Sequence, residues 1–133
     1  MKQALSLLCV VFAAACALVT EPGTASLDRE FGIREGDQVA VDEGLLAIRF
    51  LDVTDDSRCP IGMQCVWAGE GVVVLRLAQA GREPAELTLR TTPNKDSGTY
   101  EGYRVLLREL DPHPRMGGSP PETYRATLEV RRR

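Results

Sequence analysis

Residues 123–131 read Thr-Tyr-Arg-Ala-Thr-Leu-Glu-Val-Arg, and their strict alternation decides the fold class. Tyr124, Ala126, Leu128 and Val130 fall on one face, and every residue between them is polar or charged. A period of two over this length is typical of a half-buried β-strand.

The same kind of short alternating segment recurs six times earlier in the chain, separated by Gly, Pro, Asp and Asn. These segments are residues 31–33, 39–41, 45–53, 72–77, 86–90 and 103–110. Residues 91–102 and 111–122 are polar or proline-rich and are expected to be loops. The pattern predicts an all-β fold over residues 28–133, with six to seven short strands in a single antiparallel β-sandwich or barrel-like domain.

Between two of these strands, residues 55–69 read Asp-Asp-Ser-Arg-Cys-Pro-Ile-Gly-Met-Gln-Cys-Val-Trp-Ala-Gly. Cys59 and Cys65 flank a short Pro/Gly loop, and a disulfide between them would close a ring of seven residues. Loop-closure entropy gives such a bridge about 2 kcal/mol. Trp67, the single tryptophan, is expected to lay its indole against the bridge or the sheet.

The N-terminus predicts export. Lys2 precedes an apolar run, residues 4–15, that suits the hydrophobic region of a signal peptide and is too short to span a bilayer. Residues 1–15 are therefore interpreted as a signal peptide. Residues 13–16, Ala-Ala-Ala-Cys, resemble a lipoprotein signal in which Cys16 is acylated, whereas ordinary cleavage after Ala17 fits the small-residue rule as well.

Residues 16–27 look like a flexible tether, and this feature favours the lipoprotein. The expected location is the cell envelope, with the protein held on a membrane by a lipid on Cys16. A soluble periplasmic or secreted protein is the alternative. Both locations are oxidising enough for a disulfide.

The ring between the cysteines has two interpretations. In the structural one, it staples the turn between two strands. In the functional one, it is a preorganised recognition loop, for which the candidate residues are Asp55, Asp56, Arg58, Ile61, Met63 and Trp67. Asp55 and Asp56, together with Asp52 and the Ser57 hydroxyl, could supply oxygen ligands for Ca²⁺. A salt bridge between an aspartate and Arg58 that orients the loop is the favoured interpretation.

Other function classes lack the residues they need. His113 is the single histidine, and neither a nucleophile-elbow sequence nor a phosphate-binding glycine loop is present, so no catalytic residue and no cofactor are predicted. A net charge of −3 disfavours nucleic acid. The expected function is binding or structural, with an unknown envelope protein or none as partner. The alternative is an inhibitor-like module, or a copper carrier using Met63, His113 and Met116, although no metal ligand is assigned.

The stretch Asp-Ser-Arg-Cys-Pro, four further residues and Cys-Val-Trp-Ala-Gly resembles the signature of an uncharacterised family of small bacterial secreted proteins and lipoproteins. The similarity extends more loosely to residues 31–37, to the strand before Asp55 and to residues 124–130. It implies an exported, lipid-anchored β domain and brings no catalytic residues.

Overall fold

The computed structural model describes residues 23–133, and within this range the chain forms nine strands and no helix. The predicted signal peptide, Cys16 and residues 17–22 of the predicted tether lie outside the described residues. The strands are β1 (Gly23–Ala25), β2 (Glu30–Arg34), β3 (Gln38–Val41), β4 (Leu46–Asp56), β5 (Gly71–Gln79), β6 (Ala85–Arg90), β7 (Ser97–Tyr100), β8 (Tyr103–Asp111) and β9 (Arg125–Arg132).

The strands form two sheets. One has five strands in the order β1-β3-β4-β5-β6, and the other has four in the order β2-β9-β8-β7. Neighbouring strands are antiparallel except for β1 and β3, which are parallel. The predicted all-β class is confirmed, and the two sheets are compatible with the predicted sandwich, but they do not close into a barrel.

The predicted count of six to seven strands is wrong, because β1 and β7 were not foreseen. β1 lies inside the predicted tether and pairs through its backbone with Val39–Val41, so it needs no apolar period. β7 lies inside residues 91–102, which were expected to be a loop. Its hairpin with β8 turns on Glu101 and Gly102, both with positive φ. Turns of this kind are usually recognised in a sequence by Asn-Gly. The pair Glu101-Gly102 is not a common turn sequence, so the hairpin was not predicted.

The core lies between the sheets and is almost wholly aliphatic. The alternation predicted for residues 45–53, 72–77 and 123–131 is confirmed, since β4, β5 and β9 each bury alternate residues fully. These residues are Leu46, Ile48, Phe50, Val73, Leu75, Leu77, Ala126, Leu128 and Val130. Arg49 and Arg76, between them, are exposed.

β8 changes phase at a bulge, which its sequence did not reveal. Val105 and Leu107 are buried, and the register shift between Leu107 and Glu109 then turns Leu110 inward as well. An extra residue in one strand of a pair bends that strand and re-aims the side chains beyond it. The end of β8 is thereby directed into the interior.

Two long connections leave the sandwich at the same end. Asp56, at the end of β4, pairs with Gly71 at the start of β5, and Asp111, at the end of β8, pairs with Arg125 at the start of β9. The connection of residues 57–70, called here the stapled loop, therefore begins beside the connection of residues 112–124, called here the proline-rich loop. The candidate site is built from these two loops.

Candidate binding surface at the stapled-loop end

The predicted disulfide is present in the stapled loop, with 5.8 Å between the Cα atoms of Cys59 and Cys65. The base of the loop continues the ladder of β4 and β5. Ser57 N donates to Glu70 O at 2.9 Å, and Cys59 N donates to Ala68 O at 3.0 Å. The loop is thus an extension of a hairpin, closed by backbone hydrogen bonds at its base and by the disulfide above them.

Gly69 makes this closure possible. Its φ is +65°, and a Cβ built on it would lie 1.7 Å from Ser57 O, closer than any real contact. The backbones of residues 57 and 69 therefore approach each other closely. Only glycine combines the left-handed conformation with the space that the opposing backbone leaves.

Glu70 fastens the base of the loop to the neighbouring strand. Its carboxylate accepts hydrogen bonds from Thr92 Oγ1 at 2.7 Å and from Arg90 Nη1. The hydrogen bond from Thr92 and the adjacent Arg90 outweigh partial desolvation and lower the pKa of Glu70. Glu70 is thus ionised at neutral pH and held against the end of β6.

Arg58 lies inside the structure and connects the two sheets. Its Nε and Nη2 donate to the two carboxylate oxygens of Asp56 at 2.7 and 2.8 Å. Its Nη1 donates to Leu110 O at 2.5 Å, and its Nη2 also donates to Pro112 O at 2.9 Å. The predicted Asp–Arg salt bridge is confirmed, and it joins the end of β4 to the end of β8.

Tyr124 completes this network from the proline-rich loop, where its hydroxyl donates to Asp56 Oδ2 at 3.1 Å. Burial on its own would raise the pKa of Asp56, but the hydrogen bonds and charge of Arg58, helped by Tyr124, outweigh it and lower that pKa. Burial and the hydrogen bond to Asp56 raise the pKa of Tyr124. Asp56 is therefore ionised, and Tyr124 is protonated, at neutral pH.

The two loops also bond to each other through their backbones. Ile61 N donates to Pro114 O at 2.9 Å, and Met116 N donates to Ile61 O at 3.2 Å. His113 Nε2 lies 2.9 Å from Cys59 O. A carbonyl oxygen can only accept, so this nitrogen carries the proton. The stapled loop is therefore held by its base, by Arg58 and by its neighbour.

Large apolar side chains are concentrated on the outside of this rigid pair of loops. Six large hydrophobic side chains are exposed among residues 23–133, and five of them lie here. They are Ile61, Met63, Val66, Trp67 and Met116, and together they are called here the apolar surface. The sixth, Leu45, precedes β4 at the other end of the sandwich.

The expectation that Trp67 packs against the bridge or the sheet is wrong, because the residue is 83% exposed. The interior at this end is already filled. A Cβ on Gly71 would lie 2.7 Å from Leu110 Cδ2 and 3.4 Å from Arg58 Nε, so these two side chains fill the interior beside the start of β5. The folded domain gains no core burial from its single tryptophan.

The six candidate residues for a recognition loop divide into two groups. Asp56 and Arg58 point inward and hold the loop, whereas Asp55, Ile61, Met63 and Trp67 are exposed. Sequence reasoning missed Val66 and Met116 as parts of the exposed surface. The position of Val66 next to Trp67 was the one signal in the sequence that could have predicted its place on this surface. No sequence signal could have predicted the place of Met116 on this surface, because Met116 lies more than fifty residues after Ile61.

A pocket of about 390 Å³ lies where the two loops meet, lined largely by prolines together with Asp56, His113 and Tyr124. Its volume is at the small end of the range for ligand pockets. Among residues 23–133, no cluster of three or more His, Cys, Asp or Glu side chains is placed to hold a metal ion. Nor does that range contain a helix able to cross a membrane.

Comparison of the chain with protein-family models, with curated proteins and with solved structures finds no match. The family resemblance of residues 56–69 therefore stays a prediction, and the site is interpreted from its own geometry.

Gly69→Ala is expected to destabilise the domain far more than Gly81→Ala. Both positions have positive φ, and both substitutions cost about 1 kcal/mol for the left-handed backbone. Gly81 faces open space, whereas an alanine at position 69 would push its Cβ into Ser57 O and add about 2 kcal/mol or more. Urea denaturation of both variants measures the difference, and equal losses would show that the loop base is not tightly packed.

Asp56→Asn should lower the free energy of unfolding at neutral pH by about 3–5 kcal/mol, since it leaves the buried Arg58 unpaired. It should also flatten the acid dependence. The folded pKa of Asp56 is lowered, so its stabilisation is present above the unfolded value near 3.9 and is lost as pH falls through the folded pKa.

The melting temperature, measured from neutral pH to below pH 4, tests this prediction. Asp55→Asn is the matched control, because Asp55 is exposed and should leave the curve as it is in the unsubstituted protein. An Asp56→Asn curve parallel to that of the unsubstituted protein would contradict the role given to the pair.

Proposed function

We propose that this protein is an exported, lipid-anchored β domain of the cell envelope that acts by binding through the apolar surface. The observation that carries the proposal is the concentration of five exposed hydrophobic side chains on two loops that are fixed to each other and to the sheets. Exposed apolar clusters with rigid supports are typical of interaction sites.

The rigidity of the loop distinguishes binding from a purely structural role. A staple that only strengthened the hairpin would gain by turning its large side chains inward, since each one fully buried contributes about 1.5–3 kcal/mol. Here the buried residue of the loop is an arginine, and the exposed ones include Val66 at 92% and Trp67. The network of Arg58 and the disulfide therefore present an apolar surface to something outside the domain.

Export is supported by the signal-peptide pattern of residues 1–15 and by the disulfide, because disulfides persist mainly outside the cytosol. The proposed role is non-catalytic. The polar groups that converge at this end hold one another, as Asp56 does with Arg58 and Tyr124. No nucleic-acid partner is proposed.

Intact mass of the protein from membrane and soluble fractions tests export and anchoring. The expected result is a chain that begins at Cys16 and carries acyl chains, with two thiols that react only after reduction. An unmodified chain beginning near Leu18 would exclude the anchor and favour the secreted inhibitor-like or copper-carrier alternative. A chain that retains residues 1–15 would contradict export.

Site-specific photo-crosslinking in intact cells tests binding. A photoreactive residue at Met63 is expected to form adducts, and one at Leu45 is not, although both side chains are about half exposed. Adducts from position 63 should weaken when Cys59→Ser and Cys65→Ser remove the staple. Equal labelling from positions 45 and 63, or none from either, would contradict a binding role for the apolar surface.

A further inference from the structure

We infer that the apolar surface rests in the interfacial layer of the lipid bilayer, so that the anchored domain touches its membrane at a second point. This inference rests on the proposed function for the location of the protein and deepens it by naming the partner. Its occupant is the bilayer, and a protein bound to the same surface is an alternative that the test must exclude.

The direction of β1 places the preceding chain at the correct end of the molecule. Gly23 pairs with Val39, and Val39 pairs with Ile48, so the start of β1 lies level with Ile48. β1 runs parallel to β3 and therefore antiparallel to β4. The chain consequently enters β1 from the side toward which β4 runs, which is the side of Asp56 and the stapled loop.

The length of the chain before β1 is comparable with the distance from the start of β1 to the base of the stapled loop. Asp56 lies eight positions beyond Ile48 on β4, which corresponds to about 26 Å at the rise of a strand. The seven residues 16–22 between the predicted anchor and β1 span at most about 25 Å when extended. An extended chain would thus bring Cys16 close to the level of Asp56, where the stapled loop begins, so that a lipid on Cys16 would lie on the same side of the domain as the apolar surface.

The chemistry of the surface suits the interfacial layer. Residues 59–69 contain no charged side chain, and their large members are Ile61, Met63, Val66 and Trp67. Tryptophan is favoured at membrane interfaces, where its ring is apolar and its N–H remains within reach of water or headgroups. Arg115, whose backbone is bridged to Ile61, is exposed and can bind lipid phosphate while its stem lies on apolar surface.

The opposite end of the sandwich carries ion pairs and only one exposed large hydrophobic side chain among residues 23–133. Its turns carry charged side chains, including Asp42, which is paired with Arg132, and Arg82, which is paired with Glu101. Leu45 is an isolated exposed apolar residue there. Five of the six exposed large hydrophobic side chains of residues 23–133 therefore lie at the end where the chain from Cys16 enters, and one lies at the opposite end.

Trp67 is the single tryptophan of the chain and reports directly on its own surroundings. The full-length gene product is expressed, purified from the fraction that holds it and combined with vesicles of phosphatidylethanolamine and phosphatidylglycerol whose acyl chains are brominated. Intact mass of the same preparation records whether Cys16 is acylated. The expected result is a blue shift of Trp67 emission and its quenching by the brominated chains.

Two variants of matched charge make the test specific. Val66→Asp retains the tryptophan, changes a side chain that is 92% exposed, and should greatly reduce the quenching without lowering the melting temperature. Leu45→Asp places the same charge on the opposite end and should leave the quenching unchanged.

Every outcome decides the inference separately from the anchor. Quenching that Val66→Asp removes supports the bilayer contact, whether or not Cys16 carries acyl chains. Emission that stays water-like and escapes the brominated chains overturns the contact, in acylated and in unmodified protein alike, and leaves a protein partner as the occupant. Quenching that Leu45→Asp removes to the same degree also overturns it.

Discussion

The buried guanidinium of Arg58 is the interaction on which this end of the molecule depends. Two carboxylate oxygens of Asp56 and the carbonyls of Leu110 and Pro112 accept its hydrogen bonds, so one side chain ties the two sheets together. A lysine could not do so, since only the planar fork of arginine reaches a carboxylate bidentately and other acceptors at once. The gain is geometric more than energetic, because a buried ion pair repays its desolvation only when the geometry is good.

The consequence of this arrangement is an inversion of the usual distribution of side chains. In the strands, aliphatic residues point inward and charged ones outward, but in the stapled loop the arginine is buried and the tryptophan is exposed. Local departures from the rules that the rest of a chain obeys are expected where function has set the residue. The inversion therefore supports the proposed binding role without any likeness to another protein.

Sequence reasoning succeeded where the signal was local. Alternation predicted the faces of β4, β5 and β9, and the spacing of Cys59 and Cys65 predicted the bridge. The pairing of Asp56 with Arg58 was within reach because the two residues are neighbours along the chain.

It failed where long-range packing or an irregular backbone decided the outcome. The bulge in β8 has no sequence mark, yet it turns Leu110 inward and directs the end of the strand toward Arg58. The orientation of Trp67 was predicted from the general tendency of aromatic residues to be buried. In the structure, Arg58 and Leu110, which are far apart in sequence, fill the interior beside Gly71, and Trp67 is exposed. Contacts across fifty residues become visible only in the folded structure, and there Trp67, expected to anchor the core, is one of five exposed side chains of the apolar surface.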